Sequence, residues 1–169
     1  LLAAFCAWIF GLGAVETSVL LICAGMPCAG AAYIMARQMG GDAPLVATHS
    51  NVHAICPSTR NLTDRQLAMI ADSNGMVGLN FATCFLRPDG RDSADMTLDP
   101  VKRHIEHMLE LAGDDSVGIG SDYDGATTPK DIGGVEGLPV LIQAMRDMNL
   151  GEALIAKIAH GNWLRLLER

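Results

Sequence analysis

Val117-Gly118-Ile119-Gly120-Ser121-Asp122 is a short apolar run that ends by delivering a carboxylate. Gly113-Asp114-Asp115 precedes it and Tyr123-Asp124-Gly125 follows, so turn residues bracket it on both sides. A run this short, made of Val, Ile and Gly between turns, reads as a buried strand, because a helix needs ten or more residues to bury a face. Two runs of the same kind lie upstream. Met76-Val77-Gly78-Leu79-Asn80-Phe81 follows the break at Asn74-Gly75, and Leu45-Val46-Ala47-Thr48 is entered through Pro44 and ends at His49.

Helical segments separate these strands. Thr63 and Gln66 have capping-box spacing and Leu62 can staple to Leu67, so a helix starts there and runs to about Ser73. Residues 84 to 98, rich in Asp, Arg, Gly and Pro, read as a loop. Asp99-Pro100 then supplies an N-cap and a proline at N1, and Val101, Ile105, Met108 and Ala112 form the apolar stripe of a helix that stops at Gly113. After the third strand, a loop through Gly125, Pro129 and Gly134 leads to two closing helices, Leu138 to Met148 and Glu152 to His160. Gly161 separates the second from a last turn, Trp163 to Leu167. The alternation β, α, β, α, β, α is that of repeated βα units on a parallel sheet.

Composition narrows the function classes. The 169 residues are half apolar, enough for one domain with a core, or part of one. A net charge of −7 with 12 scattered basic residues opposes phosphate backbones, so no nucleic-acid partner is expected. Five cysteines, with neither CxxC nor CxxH spacing, read as free thiols in a reducing compartment. The expected location is the cytoplasm, with membrane association as the alternative.

That alternative comes from the opening stretch. Between Leu1 and Ala36 the only formal charge is Glu16, and Val19 to Ala36 just reaches the length of a membrane span. Gly25, Pro27 and Gly30 interrupt it, and no basic region precedes it as a signal peptide requires. The missing initiator Met suggests a fragment. Residues 1–41 are therefore taken as an apolar segment of uncertain origin, and 42–169 as the (β/α) part.

In a (β/α) barrel, reactive side chains sit where strands end. His49, Asn80 and Asp122 occupy such places. Taken alone, His49 reads as a metal ligand or as a histidine hydrogen-bonded in a strand terminus. Asp122 reads as a site carboxylate or as an Asx turn. Arg60, eleven residues after His49, is placed to form a bidentate pair with a substrate carboxylate, or to be a plain surface arginine. His104 and His107 share one helix at i, i+3, but the apolar stripe lies elsewhere, so solvated or half-buried histidines are expected there; His53 and His160 are read the same way. No GxSxG, HExxH, Walker A or GxGxxG motif competes.

The combination of Thr48-His49-Ser50-Asn51, Ser58-Thr59-Arg60-Asn61-Leu62-Thr63-Asp64, Gly78-Leu79-Asn80-Phe81, Gly118-Ile119-Gly120-Ser121-Asp122-Tyr123-Asp124-Gly125 and Gly161-Asn162-Trp163-Leu164-Arg165 resembles the membrane (renal) dipeptidase family, the M19 metallopeptidases. The resemblance covers residues 42–169. It implies an incomplete (β/α)8 TIM-type barrel, comprising the last strands and closing helices, from an enzyme that hydrolyses dipeptides with a pair of zinc ions. It casts His49 as a zinc ligand, Arg60 as the clamp on the dipeptide's free carboxylate, and Asp122 as the catalytic carboxylate near the scissile bond and substrate amine.

The resemblance also marks departures. Its His-x-Asp pair and bridging glutamate should precede residue 1, and no His-x-Asp occurs here. Its other strand-end histidine should fall near Cys28, where Gly25-Met26-Pro27-Cys28 stands instead. Residues 1–36 are accordingly read as out of frame or otherwise foreign, with a degraded barrel strand and helix as the alternative, and dipeptidase activity of the chain alone as impaired. Two other readings stay open: a noncatalytic or membrane-associated half-barrel, and another metal-dependent amidohydrolase. Self-association is left open as well.

Overall fold

A computed structural model describes residues 44–168. The apolar run from 19 to 36 and Cys28 lie outside the described residues.

Three strands form one parallel sheet in chain order: β1 (Val46–Ala47), β2 (Met76–Asn80) and β3 (Val117–Ser121). Every residue of β2 is buried, as expected of a central strand covered on both faces. The first strand is shorter than the four-residue run expected from Leu45 to Thr48, because the chain bends at Thr48 and His49.

Helix α1 (Asp64–Asp72) connects β1 to β2. Its N-cap is Thr63, with both halves of the capping box present: the Thr63 hydroxyl accepts from the Gln66 N–H, and the Gln66 side chain accepts from the Thr63 N–H. Leu62 and Leu67, the staple pair, are both buried. Beyond β2 the stretch read as loop opens with a single helical turn, α2 (Thr83–Leu86), whose Leu86 is buried. This turn is not visible as periodicity because it contributes one apolar anchor.

Helix α3 (Asp99–Ala112) leads to β3 and stops at Gly113, whose φ of +77° needs glycine. The expected cap is displaced by one residue. Leu98 holds the N-cap position without a side-chain bond, Asp99 begins the helix, and its carboxylate accepts from the Thr97 hydroxyl. Ile105 and Met108 are fully buried and α3 packs on α1, whose Leu67 and Ile70 are buried too. Each such side chain contributes about 1.5–3 kcal/mol through burial.

The closing segment comprises α4 (Leu138–Asp147), α5 (Glu152–Ala156), a wide π turn (Lys157–Gly161) and α6 (Asn162–Leu167). Gly161 was expected to break the last two helices, yet the π turn carries the chain through it without interruption. The result is functional for the sheet. Asn162 Nδ2 donates to the carbonyls of Asp114 and Val117, both at 2.8 Å, and Trp163 Nε1 donates to Ile119 O at 3.0 Å. Gly118 makes room for that indole, since a Cβ there would lie 2.7 Å from Trp163 Nε1. Arg165 reaches the Asp115 carbonyl at 2.7 Å. The last helix thus clamps the entry to β3, leaving the opposite end of the sheet for chemistry. Among the described residues, no helix is long and apolar enough to cross a membrane.

Candidate functional site

The C-terminal ends of the three strands lie side by side, and each delivers one polar residue. His49 follows β1, Asn80 ends β2, and Asp122 follows β3. Close backbone approach brings them together. Cβ atoms added at Gly78 and Gly120 would lie 2.1 and 2.2 Å from the Thr48 carbonyl oxygen, so only glycines let the end of β1 lean across β2 and β3. The Thr48 hydroxyl sits 2.7 Å from His49 Nδ1, which orients the ring and turns Nε2 to the other side.

Asn80 joins the other two. Its Nδ2 donates to Asp122 Oδ2 at 2.9 Å and lies 3.5 Å from the His49 carbonyl. Asp122 is a half-buried carboxylate with φ of +68°, and the preceding Ser121 has φ of +38°. Two successive non-glycine residues in the left-handed region carry strain of the kind that concentrates at functional sites.

Arg60 is exposed and leans over the Phe85 ring, 5.3 Å from its centroid. A chain of amides ties this loop to the strand ends. Asn61 Nδ2 donates to the carbonyls of Cys56 and Phe85, both at 2.9 Å, and Asn61 Oδ1 accepts from the Asn51 N–H at 3.2 Å. Asn51 Nδ2 donates to the Asn80 carbonyl at 2.9 Å while Asn51 Oδ1 accepts from the Asn80 N–H at 3.0 Å. Burial pushes the Cys84 thiol up, with the Asp92 and Asp122 carboxylates adding and Arg60 opposing.

Asn51, Asn61 and Phe85 received no role from the sequence. Asn51 and Asn61 stand inside quoted motifs, beside His49 and Arg60, and two buried asparagines flanking a strand end are the available signal. Phe85 lay in the presumed loop and offered none.

The histidines of α3 divide. His104 is fully buried rather than solvated or half-buried: Nδ1 accepts from the Val52 N–H and Nε2 donates to the Leu86 carbonyl, both at 3.0 Å. Burial lowers its pKa to about 4. His107 is partly exposed and bonds Asp64 at 2.8 Å. Neither reaches the strand ends as a ligand.

Among the described residues no three His, Cys, Asp or Glu side chains cluster as a metal site requires. The mouth offers one imidazole, His49, and one carboxylate, Asp122, already engaged by Asn80. These residues alone do not fit a zinc pair.

Comparison with known proteins places the chain. The family model for membrane dipeptidase (peptidase family M19) matches residues 32–169, beginning ten residues upstream of the span 42–169 that the resemblance covers. An uncharacterized protein from the pqqA 5′ region of Klebsiella pneumoniae is 50% identical over 125 residues, covering 74% of this chain and 46% of that protein. The solved M19 dipeptidase AC is 63% identical with a TM-score of 0.75, over 76% of this chain and 38% of its own. A metallopeptidase from Rhodobacter sphaeroides, solved with a phosphinate mimic of L-Ala-D-Ala, gives the same identity and TM-score over 76% and 37%. This chain therefore spans less than half the length of these relatives. Its α/β fold with a partial parallel sheet is part of a TIM-type barrel.

Proposed function

The chain belongs to the membrane dipeptidase family, peptidase family M19, and from that premise we propose that it carries the C-terminal part of a metal-dependent dipeptidase site. The observation that carries this reading is the convergence of His49, Asn80 and Asp122 at adjacent strand ends, with Arg60 tied to them through Asn61 and Asn51. The substrate is a dipeptide, in keeping with the dipeptide mimic bound by the Rhodobacter sphaeroides relative.

Arg60 binds the substrate's terminal carboxylate through its planar fork, and because Phe85 holds the guanidinium in place, it accepts only peptides short enough to end there. Asp122 faces the substrate amine, where it holds the ammonium or carries a proton to the leaving nitrogen. His49 is the residue that would contribute to holding a metal ion, which when bound would polarise the peptide carbonyl and activate water. Among the described residues one imidazole does not hold two metal ions, so in this reading residues 44–168 alone turn over dipeptides poorly.

A zinc titration of the purified chain, with dipeptide hydrolysis followed in the same samples, tests this. Weak zinc binding without turnover is expected. Stoichiometric tight binding with turnover would refute the ligand account. A chimera placing residues 44–168 into the solved Rhodobacter sphaeroides peptidase tests the other half: it should hydrolyse dipeptides, and Asp122→Asn in it should lower kcat by about 10²–10⁴-fold.

A further inference from the structure

The end of β2 holds a device that the roles of His49, Arg60 and Asp122 leave unused. The pairing of β2 with β3 slips by one residue there: Leu79 faces Ile119, whereas Asn80 faces Ser121. Gly120 is the extra residue, and such a bulge re-aims the side chains that follow it. Past it the backbone enters the left-handed region at Ser121 and Asp122, which non-glycine residues occupy only when their surroundings hold them there. Two bonds do so. The Phe81 N–H donates to the Ser121 carbonyl at 2.9 Å, and Asn80 Nδ2 donates to the Asp122 carboxylate at 2.9 Å.

Asn80 is built to give that bond. It is 1% exposed. Its Oδ1 accepts from the Ala82 N–H at 2.7 Å, which fixes the amide so that Nδ2 must face Asp122. Its backbone is gripped on both sides by the Asn51 carboxamide, whose Nδ2 also reaches the Phe85 carbonyl at 3.3 Å, while Asn61 Oδ1 holds the Asn51 backbone N–H. A buried amide with every group satisfied is a rigid donor.

We propose that Asn80 is a positioning residue whose fixed carboxamide holds the Asp122 carboxylate, across the Gly120 bulge, in the orientation the substrate meets. The functional half of this rests on Asp122 facing the substrate. The structural half does not, so loss of the dipeptidase reading leaves the test below readable.

The test is Asn80→Asp in the full chain. The new carboxylate still accepts from the Ala82 N–H but cannot donate to Asp122, which separates local packing from positioning. In NMR spectra, the couplings and shifts that report left-handed residues at Ser121 and Asp122 should be lost, while signals from residues 82–86 persist. The pair Asn80→Asp with Asp122→Asn exchanges donor and acceptor and should restore the left-handed signature. A single variant too unstable to fold is read through the pair: recovery of fold and signature supports the proposal. Retention of the signature in the single variant, or failure of the pair to restore it, overturns the proposal.

Discussion

Replacing His104 by glutamine should remove a pH dependence of stability that the structure assigns to this one side chain. His104 is buried among apolar groups, with Val52 N–H donating to Nδ1 and Nε2–H donating to Leu86 O. The Val52 bond requires the neutral ring, because a second ring proton would face the Val52 N–H, whereas the Leu86 bond survives protonation. Burial is the main reason its pKa falls from 6.5 to about 4, with Arg103 and His107 adding and the Leu86 carbonyl opposing. The folded pKa lies below the unfolded one, so between them the unfolded chain binds more protons and stability rises with pH. The contribution is complete above pH 6.5 and drains away down to about 4, about 3 kcal/mol across the window at 1.36 kcal/mol per unit. About 2 kcal/mol of it is gone by pH 5. Urea unfolding of wild type and His104→Gln at pH 7, 6 and 5 reads the difference, since glutamine offers a donor and an acceptor but does not titrate. The variant should lose less on acidification by about 2 kcal/mol. Parallel curves for the two proteins would show that His104 is not held neutral by its surroundings. At pH 7, His104→Ala should cost more, because the Val52 N–H and the Leu86 carbonyl would each be left buried and unpaired at about 1–3 kcal/mol.

Other perturbations address the site and its support. In a chimera that turns over dipeptides, Arg60→Ala should raise KM for free dipeptides by roughly 10–150-fold, the worth of a charged hydrogen bond, and leave C-terminally amidated dipeptides nearly unchanged. Equal losses on both substrates would separate Arg60 from the carboxylate. Gly78→Ala should displace Thr48 and His49, because its Cβ would fall 2.1 Å from the Thr48 carbonyl oxygen. A crystal structure of that variant with an unshifted His49 would contradict the packing argument. Thr63→Ala removes the cap of α1 and should cost about 1 kcal/mol in urea unfolding with no change at the strand ends.

The sequence carried the sheet well because each strand is an apolar run closed by a turn, and the period-free burial of Met76–Asn80 is what a central parallel strand demands. The capping box at Thr63 was equally legible, since its two bonds depend on residues three apart. At Asp99 the same local rule placed the cap one residue late. Leu98 takes the position without a side-chain bond, so no chemistry advertises it. His104 was misjudged because a heptad-like stripe does not reveal that two backbone groups from distant segments, Val52 and Leu86, converge on one imidazole. For the same reason the strand-end residues could be named, while the amides that connect Arg60 to Asp122 could not: those bonds span 10 to 42 residues. Proximity of that range is a property of the fold.

The central claim is that His49, Arg60 and Asp122 form one side of a single substrate and metal site. NMR of the 169-residue chain, titrated with zinc and then with a dipeptide, tests it most directly. The His49 ring should respond to zinc, and the Arg60 guanidinium and Asp122 carboxylate should then respond together to the dipeptide, while His104 and His107 stay unchanged. Zinc acting first at another histidine, or a dipeptide moving Arg60 without Asp122, would contradict it.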